Sequence, residues 1–152
     1  MFKKYLTNSP RQTKKIGFAL AKAFLGKGRR KRALVFGLEG DLGGGKTTFL
    51  QGFARGLGVR GRVLSPTFII IRRAGNFYHI DCYRLRGPQE LLTLGFKKII
   101  ADPKNIVVIE WADKIRKIMP RDAIWAKFEF VGRNKRRIVI NPVRSLRQKK
   151  FP

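Results

Sequence analysis

The chain has 152 residues, 43% of them hydrophobic, so it is long and apolar enough for one folded domain, and intrinsic disorder of its body is excluded. It carries 35 Lys and Arg against nine Asp and Glu, and the net charge of +26 is the electrostatic footprint expected of a nucleic-acid partner. A general basic bias of composition, with no specific ligand, is the alternative that scattered charge leaves open.

Membrane, secreted and zinc-binding classes are also disfavoured. No apolar run approaches the roughly 18 residues that a membrane-spanning helix needs, and the N-terminal residues lack the apolar segment of a signal peptide. Cys82 is the single cysteine, which rules out an internal disulfide, and with the single histidine, His79, it argues against a zinc site. The sequence therefore predicts a soluble, cytoplasmic protein.

The N-terminal region predicts an arm followed by a helix. We expect residues 1–12 to form a short arm. Thr13 is a suitable N-cap for a helix over residues 14–25, because apolar residues recur there at helical spacing. The turn at residues 26–28 ends this helix.

A phosphate-binding motif follows. Residues 40–47 read Gly-Asp-Leu-Gly-Gly-Gly-Lys-Thr and match the P-loop pattern G-x-x-x-x-G-K-[ST]. They lie between residues 33–38, predicted as a buried strand, and residues 48–57, predicted as the helix whose N-terminus binds the anion. Lys46 can reach the β- and γ-phosphate oxygens and the Thr47 hydroxyl can ligate Mg²⁺, so the motif predicts nucleotide binding.

The centre of the chain predicts an antiparallel hairpin and a short helix. The apolar run 68–71 and the alternating run 77–83 are separated by a turn, which is typical of a hairpin. Residues 88–94 predict a short helix that Gly95 ends. The hydroxyl-rich loop at residues 65–67 could sense a γ-phosphate as switch loops do.

The second hairpin strand has one polar face. His79, Asp81 and Tyr83 alternate with Ile80 and Cys82 and therefore share a face of the strand. The residues alone leave two interpretations open, a structural hydrogen-bond network or a functional site. Cys82 lies on the opposite face and is assigned to the core.

The C-terminal third predicts a second functional strand. The apolar run 106–109 ends at Glu110, which is either a Walker B acid that faces the Mg²⁺ bound through Thr47 or an ordinary strand-end carboxylate that faces water. A short helix at 111–119, a hairpin of strands 125–130 and 136–140, and a mobile basic tail at 144–152 are predicted after it. This order predicts an α/β fold, a P-loop NTPase-like mixed central sheet flanked by helices, with antiparallel hairpins.

Five short segments occur together in this chain. They are Gly-Asp-Leu-Gly-Gly-Gly-Lys-Thr-Thr-Phe at 40–49, Gly-Leu-Gly-Val at 56–59, Ser-Pro-Thr-Phe at 65–68, His-Ile-Asp-Cys-Tyr-Arg-Leu at 79–85 and Ile-Glu-Trp at 109–111. The P-loop alone is generic, but its combination with the other four segments is specific. In this order and spacing the segments resemble the TsaE family, the ATPases of bacterial tRNA threonylcarbamoyladenosine biosynthesis, and the resemblance covers about residues 13–140.

The resemblance implies a P-loop ATPase, weak alone, that uses ATP and Mg²⁺ and acts with the TsaB–TsaD complex. That complex installs the threonylcarbamoyl group on the adenosine 3′ of the anticodon, and the ATP cycle is expected to reset it between turnovers. By the same resemblance Lys46, Asp81 and Glu110 are the catalytic residues, and Thr47 and Glu110 organise Mg²⁺. The expected nucleotide-binding residues are Asp41, Gly43, Gly44, Gly45, Lys46, Thr47, Thr48, Thr67 and Trp111.

Two features depart from the family pattern. Gly44 stands where the family usually has alanine, and family members are often near neutral or acidic, whereas this chain has a net charge of +26. The charge leaves room for direct contact with tRNA phosphates, through the basic surface and the tail at 144–150. A small-molecule kinase and a non-enzymatic RNA-binding protein are the two competing interpretations.

Overall fold

The computed structural model describes residues 2–25, 28–61 and 70–141. The strands within these ranges are β1 Lys3–Thr7, β2 Leu34–Gly40, β3 Ile71–Ala74, β4 Phe77–Asp81, β5 Ile106–Glu110, β6 Ile124–Gly132 and β7 Lys135–Asn141. The helices are α1 Pro10–Phe24, α2 Lys46–Gly56, α3 Pro88–Thr93 and α4 Phe96–Ala101, and Ala112–Ile118 forms a 3-10 helix.

The strands form one seven-stranded mixed sheet in the order β1-β7-β6-β2-β5-β4-β3. The central strand β2 pairs in parallel with β5 and β6, and β5 pairs in parallel with β4. The outer pairs β3–β4, β6–β7 and β1–β7 are antiparallel. The predicted α/β class, with a mixed sheet and two antiparallel hairpins, is therefore confirmed.

Helices cover both faces of the sheet. Alternation along β2 directs Leu34, Phe36 and Leu38 into the core beneath α1 and α2, and Val35 into the opposite core. That second core is closed by α3, α4 and the 3-10 helix. Both faces of β2 and β5 are buried, which is why these strands read as continuous apolar runs in the sequence.

The prediction of an N-terminal arm at residues 1–12 is wrong. Lys3–Thr7 is a strand that pairs antiparallel with β7, and Tyr5 lies opposite Ile138. This pairing joins residues 129 to 137 positions apart in the sequence, so no local pattern in the first twelve residues predicts it. It extends the sheet beyond the predicted C-terminal hairpin.

Thr13 is not the N-cap of the first helix. The helix begins at Pro10, and the Ser9 hydroxyl accepts the backbone N–H of Gln12 at 3.2 Å. Proline suits the first helical position because its missing N–H has no intrahelical partner there. Thr13 instead lies buried inside the first turn, with its hydroxyl 2.8 Å from that of Thr7.

The second half of the chain differs from the prediction in three elements. Tyr83 lies beyond the end of β4 and is exposed, so it does not extend the polar face of that strand. The segment after Glu110 is a 3-10 helix. The helix α4 was not predicted. Its C-terminal end is held by tertiary hydrogen bonds, because the Ile100 carbonyl accepts the N–H of Ala33 and the Ile99 carbonyl accepts the side-chain amide of Asn105.

Some predictions lie outside the described residues. These are the loop at 65–67 with Thr67, residues 26 and 27 of the turn after the first helix, residues 68 and 69 of the first hairpin strand, and the basic tail at 144–152. Within residues 2–25, 28–61 and 70–141, no helix is both long and apolar enough to cross a bilayer.

The helices α1 and α2 pack backbone to backbone. A Cβ atom added to Gly52 would lie 2.0 Å from the Lys14 carbonyl oxygen, and one added to Gly17 would lie 2.2 Å from the Phe49 carbonyl oxygen. No side chain fits at either position without moving a helix. This contact fixes α1 against the helix that starts at the P-loop.

We expect Gly52→Ala to destabilise the protein by about 1–3 kcal/mol, because the overlap with the Lys14 backbone outweighs the better helix propensity of alanine. Urea unfolding followed by circular dichroism measures the change. Gly87→Ala is the matched control, since its backbone is extended and its Cβ would meet nothing within 4 Å. Equal stability of Gly52→Ala and the wild type would contradict the tight packing.

Candidate functional site

The P-loop connects β2 to α2 at the carboxyl ends of the parallel strands, the edge where α/β proteins bind ligands. It borders a cavity of about 310 Å³. The residues predicted for the site that line this cavity are Gly43, Gly45, Lys46, Thr47, Thr48, Glu110 and Trp111. The structure therefore brings most of the predicted nucleotide-binding residues to one cavity.

Gly45 sets the direction of the loop as it enters α2. It is the N-cap, with φ of 99° in the left-handed region that glycine adopts without strain, and no side chain caps the helix. The first backbone N–H groups of α2 are therefore left without a side-chain acceptor. Such N–H groups and the helix dipole form a binding site for an anion such as a phosphate.

Gly44 and Asp41 shape the loop from outside the cavity lining. The Asp41 carbonyl accepts the Gly44 N–H at 3.0 Å, while the Asp41 side chain is exposed. A Cβ atom on Gly44 would lie 2.9 Å from that carbonyl oxygen. Glycine at this position therefore permits a tighter loop, because the Cβ atom of an alanine would lie too close to the Asp41 carbonyl oxygen.

Lys46 is buried at the floor of the cavity. Its Nζ donates to the carbonyl oxygens of Gly40 and Asp41, both at 2.7 Å, and lies 4.2 Å from the centre of the Trp111 ring. Burial lowers the pKa of the Lys46 ammonium below its ordinary value, and the carboxylate of Glu110 is the largest opposing influence. The ammonium is thus held in place beside the loop before any phosphate binds.

Glu110 joins the P-loop helix to the sheet. Its Oε1 accepts the Thr47 hydroxyl at 2.7 Å, and its Oε2 accepts His79 Nε2 at 2.7 Å. The side chains of Glu110 and His79 are only 2% and 3% exposed. Since an ionised carboxylate only accepts hydrogen bonds, Nε2 carries the ring proton, and both carboxylate oxygens are fixed in direction.

The contact between Thr47 and Glu110 has the donor chemistry that Mg²⁺ needs. Mg²⁺ prefers oxygen ligands and is usually held by one or two carboxylates together with substrate phosphates and waters. Thr47 Oγ1 and Glu110 Oε1 supply two such oxygens beside the phosphate-binding loop. The described residues contain no cluster of three or more His, Cys, Asp or Glu that could hold a metal ion.

Asp81 lies beside Glu110 rather than on the cavity wall. The two residues are partners in the parallel pairing of β4 and β5. Asp81 Oδ1 accepts the N–H of Tyr83 at 2.9 Å. Burial raises the pKa of the Asp81 carboxyl above its ordinary value, the Tyr83 N–H opposes this, and the charge of Glu110 adds to the rise.

The polar face predicted for β4 is confirmed for two of its three residues. His79 and Asp81 point to the side of the sheet that carries Glu110, and Ile80 and Cys82 lie in the opposite core. Burial raises the pKa of the Cys82 thiol to about 12, so this cysteine is a neutral core residue as predicted. His79 is hydrogen-bonded to Glu110, a pairing that the sequence did not predict.

Trp111 turns the chain immediately after Glu110. Its backbone is left-handed, with φ of 57° and ψ of 39°, an uncommon conformation for a large side chain. The turn places the indole against Lys46 on one side and against the Tyr83 ring, at 5.0 Å, on the other. The indole therefore forms a wall of the cavity.

Sequence analysis missed cavity residues that come from distant segments. Arg136 and Asn134 reach the cavity from the β6–β7 hairpin, and Pro10 and Thr13 reach it from α1. The guanidinium of Arg136 donates to the carbonyls of Gly132 and Lys135. Arg136 belongs to a basic run at residues 133–137, and such a run does not distinguish a cavity residue from a solvated one.

Comparisons with known proteins agree with this geometry. The sequence model of the family described as threonylcarbamoyl adenosine biosynthesis protein TsaE matches residues 7–138. The tRNA threonylcarbamoyladenosine biosynthesis protein TsaE of Bacillus subtilis is 36% identical, over 92% of this chain and 85% of that protein. The protein of the same name from Rickettsia conorii is 34% identical, over 85% of this chain and 72% of that protein.

A solved structure shares the fold. The crystal structure of YdiB from Bacillus subtilis superposes with a TM-score of 0.76 at 32% identity, and covers 95% of this chain and 88% of that one. The similarity thus extends over the sheet as well as the phosphate-binding motif.

The raised pKa of Asp81 predicts a pH-dependent effect of Asp81→Asn. The folded protein holds the Asp81 proton more tightly than the unfolded chain, so stability from this group is present at low pH and is lost as the pH rises from about 3.8 through the folded pKa. We therefore expect Asp81→Asn to stabilise the protein relative to the wild type, and more at pH 7 than at pH 4.

Urea unfolding at both pH values measures the difference. Asp102→Asn is the control, because Asp102 accepts an N–H two residues on in the same way, from Lys104 at 2.9 Å, but is exposed. Both variants remove one negative charge. An equal pH dependence in the two variants would contradict a role for burial.

Proposed function

The chain belongs to the TsaE family, and from that premise we propose that it is a Mg²⁺-dependent ATPase required for the N6-threonylcarbamoyladenosine modification of tRNA. Its ATP cycle drives the turnover of a TsaB–TsaD complex, and it acts in the cytoplasm, where tRNA is modified. The role in tRNA modification is proposed from the names of the relatives. The observation that carries the ATPase activity is the contact between Thr47 and Glu110 at the P-loop.

Each residue of the site has a proposed task in ATP hydrolysis. The N–H groups at the start of α2 and the Lys46 ammonium bind the phosphates, and Lys46 exchanges its bonds to the Gly40 and Asp41 carbonyls for phosphate oxygens. Mg²⁺, if bound here, would supply positive charge against the negative charge that develops on the phosphates. Thr47 and Glu110 hold that ion, and His79 keeps the Glu110 carboxylate turned toward Thr47.

Asp81 and Trp111 have supporting tasks in this proposal. Asp81 is the carboxylate next to Glu110 and supports hydrolysis from the neighbouring strand. The Trp111 ring packs beside the nucleotide, since it already contacts Lys46 at the cavity wall.

Hydrolysis of ATP by the purified chain, alone and with its TsaB–TsaD pair and tRNA, tests this function. We expect weak basal activity that rises when the pair is added. Lys46→Ala and Glu110→Ala should each lower the stimulated rate by about 100-fold or more, the usual loss when charge stabilisation is removed from a transition state. Lys97→Ala, an exposed lysine of α4, should leave the rate unchanged.

Two outcomes would contradict the proposal. Equal rates of ATP hydrolysis for the wild type and Glu110→Ala would contradict the proposed role of Glu110 in holding the metal ion. Tight ATP binding in calorimetry, with no stimulation by the pair and with phosphoryl transfer to a small acceptor, would favour a kinase.

We also propose that the basic tail contacts tRNA. Residues 144–150 contain four Lys and Arg. Deleting residues 144–152 should weaken tRNA binding and lower the slope of log affinity against log salt by up to about 3, because up to four phosphate contacts are lost. The matched control is a full-length chain with these four residues changed to Gln, which removes the charges but keeps the tail. If the truncated chain retained tRNA at low salt as well as the wild type does, the contact would be refuted.

A further inference from the structure

A second concave surface lies on the outer side of α1 and α2. It is a groove of about 1,020 Å³, more than three times the volume of the nucleotide cavity, and the two share no lining residue. We call it the α1–α2 groove. Its floor is the close contact of the helices, where Gly52 packs on the Lys14 backbone. The floor is therefore rigid, and the exposed side chains form the walls.

Among the described residues, every charged side chain that lines the α1–α2 groove is a cation. There are five of them and no acidic residue: Arg11, Lys14, Lys15, Arg55 and Arg60. All five are exposed, and none of them forms an ion pair with another residue of the described ranges. Five unneutralised cations around one groove repel one another, so the groove attracts a polyanion.

The cations of α1 form a line along the helix. Arg11, Lys14, Lys15 and Phe18 follow the i, i+3, i+4, i+7 spacing that places side chains on one face. Lys22 continues the line, with its Nζ 5.5 Å from the centre of the Phe18 ring. From Arg11 to Lys22 the line is about 16 Å long at the rise of an α-helix. Arg55 and Arg60 face it from across the groove.

Phe18 is the exposed aromatic residue in this line. It is 39% exposed although it lies on a helix packed against the core. An aromatic ring between cations is the arrangement that proteins use to bind nucleic acid, where the ring stacks on a base and the cations follow the phosphates.

We propose that the α1–α2 groove binds the phosphate backbone of RNA, with Phe18 as a stacking platform for a base. An acidic protein surface is the other polyanionic partner to consider. Protein interfaces are depleted of charge at their centre, whereas five cations line this groove, and Phe18 is the one exposed large hydrophobic residue among its described lining residues. The groove therefore fits RNA better.

RNA binding in the groove does not depend on the proposed ATPase activity. Only the choice of tRNA as the probe rests on the proposed function. The same two helices carry both sites: Pro10 and Thr13 of α1 line the nucleotide cavity, while Arg11 and Lys14 line the groove. RNA in the groove would thus lie on the outer side of the helix that begins at Lys46. The nucleotide cavity stays open to ATP.

Binding of an unmodified tRNA transcript to the full chain, measured by fluorescence anisotropy at several salt concentrations, tests the groove. The groove variant carries Lys14→Gln, Lys15→Gln and Arg55→Gln, changes that preserve helix propensity. Loss of three phosphate contacts should lower the salt slope by about 2. The advantage of the wild type over the variant should then shrink roughly twentyfold between 50 and 200 mM salt.

The matched control removes the same charge elsewhere. It carries Lys97→Gln, Lys98→Gln and Lys117→Gln, three exposed lysines on the opposite side of the sheet. We expect this control to keep most of the affinity and the slope of the wild type. Phe18→Ala should weaken binding of a single-stranded oligonucleotide about fivefold or more and leave the salt slope unchanged.

Three results would overturn the proposal. Equal losses in the groove variant and its control would mean that net charge alone attracts RNA. Unchanged RNA binding in the groove variant would remove the groove as the site, and with loss of TsaB–TsaD binding it would assign the groove to a protein partner. If the groove variant failed to fold, unchanged RNA binding by the double variant Arg11→Gln, Arg60→Gln would exclude the groove as the RNA-binding site. Basal ATP hydrolysis of the groove variant, measured in parallel, separates failure of the groove from failure of the ATPase.

Discussion

The buried carboxylate of Glu110 is the constraint on which the site depends. An ionised carboxylate loses several kcal/mol of hydration when it is buried, so it persists only where hydrogen bonds replace the lost water. Here Thr47 and His79 each donate one at 2.7 Å. Because these donors belong to α2 and β4, the carboxylate holds the P-loop helix and two strands of the sheet in one arrangement. The oxygens that suit Mg²⁺ are therefore positioned before any ligand arrives.

The same carboxylate shapes the charge around it. Lys46 is buried close to Glu110, and the negative charge partly offsets the cost of burying the ammonium. The ammonium itself bonds to the carbonyls of Gly40 and Asp41 and rests against Trp111 instead of pairing with a carboxylate. Carbonyl bonds are weaker competitors for an ammonium than an ion pair, so phosphates can replace them. The site is thus preorganised without being closed to its ligand.

The two surfaces proposed to bind anions differ in kind. The cavity at the P-loop offers backbone N–H groups and one buried lysine, so its geometry is fixed and its interactions are weakly screened by salt. The α1–α2 groove uses five exposed, flexible cations, so its attraction is long-ranged and sensitive to salt. The close packing at Gly52 serves both surfaces, because it fixes α1 against the helix that begins at Lys46. Part of the net charge of +26 is therefore concentrated along one groove, which the composition alone does not show.

The sequence by itself determined the elements whose signals are local. The P-loop pattern, the apolar strand that ends at Glu110, and the two hairpins are read from neighbouring residues, because turns, caps and strand alternation depend on short-range geometry. Only the tertiary structure decided what lies next to what. It paired Lys3–Thr7 with β7, brought His79 to Glu110, carried Arg136 to the nucleotide cavity and collected the cations of α1 and α2 into one groove. These contacts join segments far apart in the chain, and the free energy that selects them comes from burial and packing, which no local pattern records.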